Sequence, residues 1–169
     1  GNGRVGRLLV SLLLHDGGLL AEPLLYLSLY FKRHRQTYYE RLQAIRTEGD
    51  WEGWLRFFVQ GVSSTATAAI QTARELVALF EEDRRRIQDK ISRPGSALQI
   101  HEVFKKHPVR SVPQIADMTG LSPPTVNRAL GDLCDPEWGP IRELTGKRRN
   151  RLYGYRRYLD VLNEGTETE

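Results

Sequence analysis

The chain has 169 residues, of which 40% are apolar and 27% are charged, a composition typical of one globular domain or two small ones. Its single cysteine, Cys134, excludes an internal disulfide bond, and the net charge of +4 permits nucleic-acid binding without requiring it. No apolar run approaches the roughly 18 residues of a membrane-spanning helix, and no signal peptide is visible, so the sequence predicts a cytoplasmic protein with no membrane partner.

The first seven residues combine a glycine turn with two arginines. Gly1-Asn2-Gly3 has the composition of a turn with positive φ angles, and the leucine-rich run after it indicates a helix. Free N–H groups at the start of that helix would attract phosphate, and Arg4 and Arg7 lie three residues apart on one helix face. One interpretation is a phosphate-binding turn. The other is a loose terminus with solvated arginines.

This stretch resembles the second half of the Fic family signature, His-x-Phe-x-(Asp/Glu)-Gly-Asn-Gly-Arg-x-x-Arg, in which Gly1, Asn2, Gly3, Arg4 and Arg7 occupy the matching positions. The resemblance implies a protein adenylyltransferase, which transfers AMP from ATP, with Mg²⁺, to a hydroxyl side chain of a target protein. It assigns residues 1–3 to the phosphate cradle and Arg7 to the terminal phosphates. The catalytic histidine and the metal-binding acid of the family would precede residue 1. We therefore expect this chain to be the C-terminal part of a longer protein, inactive alone.

Residues 1–91 show helical periodicity and no alternation of period two, which predicts an all-α bundle. We expect one helix from about residue 3 to 15, a second from about 22 to 46, and a third that begins after the N-cap residue Asp50. Trp51 and Trp54 are predicted to be core residues. The charge run at residues 81–86 is predicted to be a solvated helix face.

The pair Tyr38-Tyr39 is a second point of resemblance to the Fic family, in which tyrosines after the motif can line the adenine pocket. Core packing explains at least one ring equally well, so we assign nucleotide contact to Tyr39 in preference to Tyr38. The histidines lack a second ligand at metal spacing and are therefore predicted to be core or boundary residues: His15, His34, His101 and His107. We predict no metal site in this chain.

The sequence pattern changes after residue 91. Ser92-Arg93-Pro94-Gly95 cannot continue a helix, so residues 92–95 are predicted to be a linker. Residues 96–165 are predicted to form three short helices and a β-hairpin, and residues 166–169 a disordered tail. Ser111 with Gln114 caps the second of these helices and Ser122 caps the third, whose buried stripe is predicted to be Val126, Ala129, Leu130 and Leu133.

Polar side chains at the start of the third helix are then directed away from its buried stripe. They are Thr125, Asn127 and Arg128, residue types that contact base edges and phosphates. The loop between the strands predicted at 141–145 and 151–155 contains Lys147, Arg148 and Arg149 and no acid, which is typical of a loop along a phosphate backbone. This half resembles a winged helix-turn-helix domain, which also follows the catalytic domain in many Fic proteins. Asp132, if it shares the outward face, would oppose phosphate binding.

The sequence as a whole predicts a mainly α fold, with the C-terminal part of a Fic-type bundle followed by a small winged helix domain. The expected function is AMP transfer to a protein, with the winged helix binding duplex DNA or a protein. The alternative is a DNA-binding transcriptional regulator whose helical half serves for homodimerisation or ligand sensing, without transferase activity. A third hypothesis is a pure interaction module.

Overall fold

The computed structural model describes residues 27–163, together with residues 5, 9, 12, 13 and 15–18. Contacts between residues divide the chain into two compact units, Gly1–Gln71 and Thr72–Glu169. The mainly α prediction is confirmed. From residue 27 onward the elements are α1 (Leu27–Arg33), α2 (Arg35–Glu48), α3 (Trp51–Lys90), α4 (Gly95–Lys106), β1 (Val109–Ser111), α5 (Val112–Thr119), α6 (Pro123–Leu133), β2 (Ile141–Glu143), β3 (Leu152–Tyr155) and α7 (Arg156–Asn163).

In the first unit the helix predicted from 22 to 46 is interrupted at His34, which separates α1 from α2. The backbone of His34 leaves the helical region with φ −107° and ψ 37°. Its ring stacks on Tyr30 with 4.2 Å between ring centroids, and Nδ1 lies 2.9 Å from the Tyr30 carbonyl oxygen. His34 and His15 are exposed, so the prediction that they are core or boundary residues is wrong. Residues 19–26, where this helix is predicted to begin, lie outside the described residues.

The turn between α2 and α3 forms as the sequence predicts. Gly49 adopts the left-handed conformation with φ 72°, which a residue without Cβ adopts at little cost. Asp50 then caps α3, because its Oδ1 accepts the backbone N–H of Gly53 at 2.8 Å. The side chain of Trp54 packs on the core of this unit, which contains Leu27, Phe31 and Phe57.

Trp51 is not a core residue, contrary to the prediction. It is 62% exposed and lies at the first position of α3, one helical turn before Trp54. The buried aromatic cluster of the first unit begins at Trp54 along α3 and does not include this ring. Correct helical spacing is therefore insufficient to bury a side chain at the end of its helix.

In the second unit, α4, α5 and α6 cover a small antiparallel sheet. The strand order is β1-β3-β2, with Arg110 opposite Tyr153 and Arg142 opposite Gly154. The predicted stripe of α6 is confirmed, because Val126, Ala129, Leu130 and Leu133 are all buried. The C-terminal part of α3 contributes Leu79 and Ile87 to the same core. The predicted linker, residues 92–95, follows α3 and ends at the first residue of α4 inside this unit, and its assignment as a domain boundary stays a prediction.

A buried carboxylate connects α3 to β3. Asp83 is 1% exposed, and its Oδ2 accepts the hydroxyl group of Tyr155 at 2.7 Å. Its Oδ1 lies 3.2 Å from the Arg157 guanidinium and 3.5 Å from that of Arg86. Burial raises the pKa of Asp83, although the hydrogen bond from Tyr155 and the charge of Arg157 oppose the rise. The prediction of a solvated face at 81–86 is therefore wrong at Asp83, which is buried and whose partners Tyr155 and Arg157 lie on a distant part of the chain.

The hydroxyl group of Tyr155 also connects α4 to this network. His101 is fully buried, and its Nε2 lies 3.2 Å from the Tyr155 hydroxyl oxygen. Because that hydroxyl donates its hydrogen to Asp83, Nε2 of His101 must be the donor in this second bond. The Nδ1 atom is buried without a hydrogen-bond partner among the described residues, so a proton there would be uncompensated. Burial accordingly lowers the pKa of His101 to about 4.

Backbone atoms pack closely around Gly139, in the segment that follows α6. A Cβ at this position would lie 2.3 Å from the Leu133 carbonyl oxygen and 2.6 Å from the Asp135 nitrogen, both backbone atoms. We expect Gly139→Ala to lower the free energy of unfolding by about 2 kcal/mol. Gly131→Ala is the matched control, because a Cβ there meets open space on a helix, and should raise stability by roughly 0.5 kcal/mol. Urea denaturation measures both. Equal effects of the two substitutions would contradict the packing argument.

The buried imidazole predicts a pH dependence of stability. His101 has an ordinary pKa of 6.5 and a folded pKa of about 4, so the unfolded chain binds the proton first as pH falls. The free energy of unfolding should therefore decrease from pH 7 to pH 5, by about 2 kcal/mol from this group. His101→Gln keeps an N–H donor for Tyr155 but does not titrate. Denaturation at both pH values should show a smaller decrease in this variant, and identical decreases would contradict the assignment.

Candidate nucleic-acid interface

The turn between α5 and α6 is built by two helix caps. The backbone N–H of Ser111 donates to the side-chain oxygen of Gln114 at 3.0 Å, in the predicted capping box of α5. Gly120 ends α5 with φ 70°, and the Ser122 hydroxyl oxygen accepts the N–H of Thr125 at the start of α6. Residues 120–122 therefore form the short turn of a helix-turn-helix motif.

The start of α6 presents polar side chains opposite its buried stripe. Asn127 and Arg128 are exposed, and Thr125 is half-buried with its hydroxyl 2.9 Å from that of Ser122. The side-chain nitrogen of Asn127 donates to the carbonyl oxygen of Pro123 at 2.9 Å, which fixes its rotamer. The outward direction predicted for Asn127 and Arg128 agrees with these positions. Asp132 is also exposed, one turn after Arg128.

The loop between β2 and β3, residues 144–151, is called the basic loop here. Lys147, Arg148 and Arg149 are exposed, and none of them forms an ion pair with another residue in the described part of the chain. Two residues of the loop have positive φ, Gly146 at 61° and Asn150 at 54°. This arrangement leaves three cations available to an external anion.

The base of the basic loop is held by Glu143. Its Oε1 accepts the backbone N–H groups of Thr145 at 3.0 Å and Gly146 at 2.9 Å, and also the Thr145 hydroxyl. These bonds, the hydroxyl first, lower the pKa of the Glu143 carboxyl, so it is ionised at neutral pH. On the other side, Nε of Arg151 donates to the Lys147 carbonyl oxygen at 3.0 Å. The loop therefore has a defined base beneath its exposed cations.

Arg142 has a structural role that the sequence did not indicate. Its guanidinium donates to the carbonyl oxygens of Asp135 at 2.6 Å and Pro136 at 3.1 Å, just after the end of α6. A cation at this place compensates the negative end of the helix dipole. The only local signal is a basic residue next to the buried Ile141 in a short strand, which does not distinguish this role from DNA contact.

The order of these elements, with a helix-turn-helix followed by an antiparallel hairpin, is that of a winged helix. Residues 96–135 match the family model described as winged helix-turn-helix DNA-binding. This part of the chain is a winged helix-turn-helix DNA-binding domain. We refer to residues 95–155, from α4 to β3, as the winged helix domain, because the structure adds the hairpin and basic loop to the matched residues.

Of the residues predicted to bind a nucleotide, the structure describes Tyr38 and Tyr39. The positions of the Fic-like motif lie outside the described residues: Gly1, Asn2, Gly3, Arg4 and Arg7. Tyr38 packs against Phe31 and Trp54, with ring centroids 5.2 and 5.5 Å away, as the core alternative expects. Tyr39 is 57% exposed, with the guanidinium of Arg35 5.8 Å from its ring centroid.

The described residues contain no cluster of three or more His, Cys, Asp or Glu side chains that could hold a metal ion. Burial raises the pKa of the Cys134 thiol to about 11, so this thiol is protonated at neutral pH and is a poor nucleophile. Within the described part of the chain, no helix is both long and apolar enough to span a bilayer.

Proposed function

We propose that this protein binds duplex DNA through its winged helix domain and acts as a DNA-binding regulator. In this proposal α6 enters the major groove and the basic loop follows the phosphate backbone. The observation that supports it is the presence, on one domain, of an exposed polar helix start and three unpaired cations, Lys147, Arg148 and Arg149. Together these features meet the two requirements of DNA recognition, which are positioning on the phosphate backbone and reading of the bases.

The amide of Asn127 is the side chain best suited to read a base. One N–H group is held by the carbonyl of Pro123, and the second N–H and the amide oxygen remain for a base edge. Adenine offers the matching acceptor and donor, N7 and N6, in the major groove. Because the rotamer of Asn127 is fixed before binding, little side-chain entropy is lost on contact.

The basic loop supplies affinity rather than sequence discrimination. Each cation that neutralises a phosphate releases a condensed counterion, which makes binding weaken as salt rises. Glu143 fixes the base of the loop, so the three cations are presented from a defined point on the hairpin.

AMP transfer from ATP with Mg²⁺ to a hydroxyl side chain of a target protein stays a second hypothesis. It rests on the sequence resemblance at residues 1–7 and on the exposed ring of Tyr39. The two activities are compatible in one protein, because they use different residues.

Neutralising the basic loop tests phosphate contact. The triple variant Lys147→Gln, Arg148→Gln, Arg149→Gln should weaken duplex binding by at least roughly tenfold at about 0.15 M salt. It should also reduce the slope of log affinity against log salt by roughly two to three. Fluorescence anisotropy with a labelled duplex measures both. The control removes three exposed arginines of α3, Arg74, Arg84 and Arg85, and should leave the slope unchanged. Equal losses of affinity in the two variants would show that the effect depends only on net charge and not on the position of the cations.

Removing the amide of Asn127 tests whether this side chain contributes to DNA sequence preference. A preferred duplex is first selected with the wild-type protein from random sequences. We expect Asn127→Ala to lower the preference for this duplex over a random one by roughly tenfold, because a bidentate base contact is lost. The salt slope should not change, in contrast to the basic-loop variant. An unchanged preference would show that Asn127 does not read DNA.

A further inference from the structure

A cavity of about 570 Å³ lies beside α6 within the second unit. One wall is the flank of α6 with Thr125, Arg128 and Asp132. The opposite wall is the segment from the end of α3 to the first turn of α4, with Arg93 and Ser96. This second wall belongs neither to the helix-turn-helix motif nor to the basic loop.

The charges on the two walls favour an anion. Arg93 and Arg128 are both exposed, and neither forms an ion pair in the described part of the chain. Two guanidinium groups that line one cavity make its potential more positive, and each offers the fork of N–H donors that suits phosphate. Hydroxyl groups of Ser96 and Thr125 line the same space.

Asp132 limits where an anion can lie. It follows Thr125 by seven residues along α6, a separation of about 10 Å. The carboxylate and the negative end of the α6 dipole both disfavour a phosphate near Asp132, whereas the positive end of the dipole favours one near Thr125. On the opposite wall, Ser96 belongs to the first turn of α4, which has no side-chain cap, so its backbone N–H groups add positive potential.

We propose that this cavity is a phosphate-binding site, in which Arg93 and Arg128 hold one backbone phosphate of the DNA that α6 reads. This inference rests on the proposed function. DNA is the favoured source of the phosphate because Arg128 directly follows Asn127, so a strand whose base meets Asn127 passes close to the cavity. The contact fixes the register of α6 on the duplex, since Arg93 lies on a different segment from the reading helix. A small phosphate ester would offer the same chemistry.

The test uses two substitutions of opposite expected effect. Arg93→Gln should weaken duplex binding by roughly tenfold at constant salt and reduce the salt slope by about one. Asp132→Asn removes a repulsive charge and should strengthen binding several-fold. Arg84→Gln, which removes an exposed arginine of α3, is the matched control and should change neither quantity. Circular dichroism of each variant confirms that it is folded.

A second arm identifies the source of the phosphate. Inorganic phosphate and AMP are titrated by calorimetry into wild-type protein and Arg93→Gln without DNA. Sub-millimolar binding that the substitution abolishes, with unchanged DNA binding, would support the site but assign it to a free phosphate ester. If neither substitution alters DNA or phosphate binding, the site is refuted, while loss of DNA binding in the basic-loop variant would leave the proposed function intact. If wild-type protein binds no duplex, the proposed function fails. The phosphate titration alone then decides whether the cavity is a phosphate-binding site.

Discussion

The hydrogen bond from the Tyr155 hydroxyl to the buried carboxylate of Asp83 holds the second unit together. It connects α3 to β3, and the bond from His101 to the same hydroxyl adds α4. Removing one partner would leave a charge or a polar group buried without compensation, which typically costs several kcal/mol. Because β3 is the central strand, its position determines those of β1, β2 and the basic loop. The winged helix domain therefore depends on a residue of α3 that lies outside the 96–135 family match.

The sequence predicted the elements whose causes are local. The caps at Ser122 and Gly120 and the apolar spacing of α6 lie within a few residues of what they determine, so the helix-turn-helix was foreseeable. The burial of Asp83 was not, because its partners Tyr155 and Arg157 are 72 and 74 residues away. The strand β1 and the helix α7 were also missed. β1 has three residues, too few for a visible alternation, and α7 follows β3 without a turn.

The residues of the candidate interface also fall into those that the sequence predicts and those that it does not. Asn127, Arg128 and the basic loop could be named from the sequence, because each is exposed by a local pattern. Arg93 could not, since the sequence shows only a break between two helices at residues 92–95. It becomes a candidate contact because the fold places it across a cavity from Arg128. Contacts between segments that are distant in the sequence leave no local pattern, so the sequence alone does not predict them.

The composition of α6 limits how much sequence discrimination one winged helix domain can provide. Apart from Asn127 and Arg128, the exposed positions near its start include Pro123 and Pro124, which have no donor, and Gly131 has no side chain. A good base contact discriminates by about 1–3 kcal/mol, whereas specific recognition requires about 4–10 kcal/mol over random DNA. Phosphate contacts from the basic loop raise affinity for every sequence alike. Under the proposed function, in which Arg128 holds a phosphate and Asn127 is the reading side chain, specific recognition therefore requires sequence-dependent DNA shape or a second reading element in addition to α6.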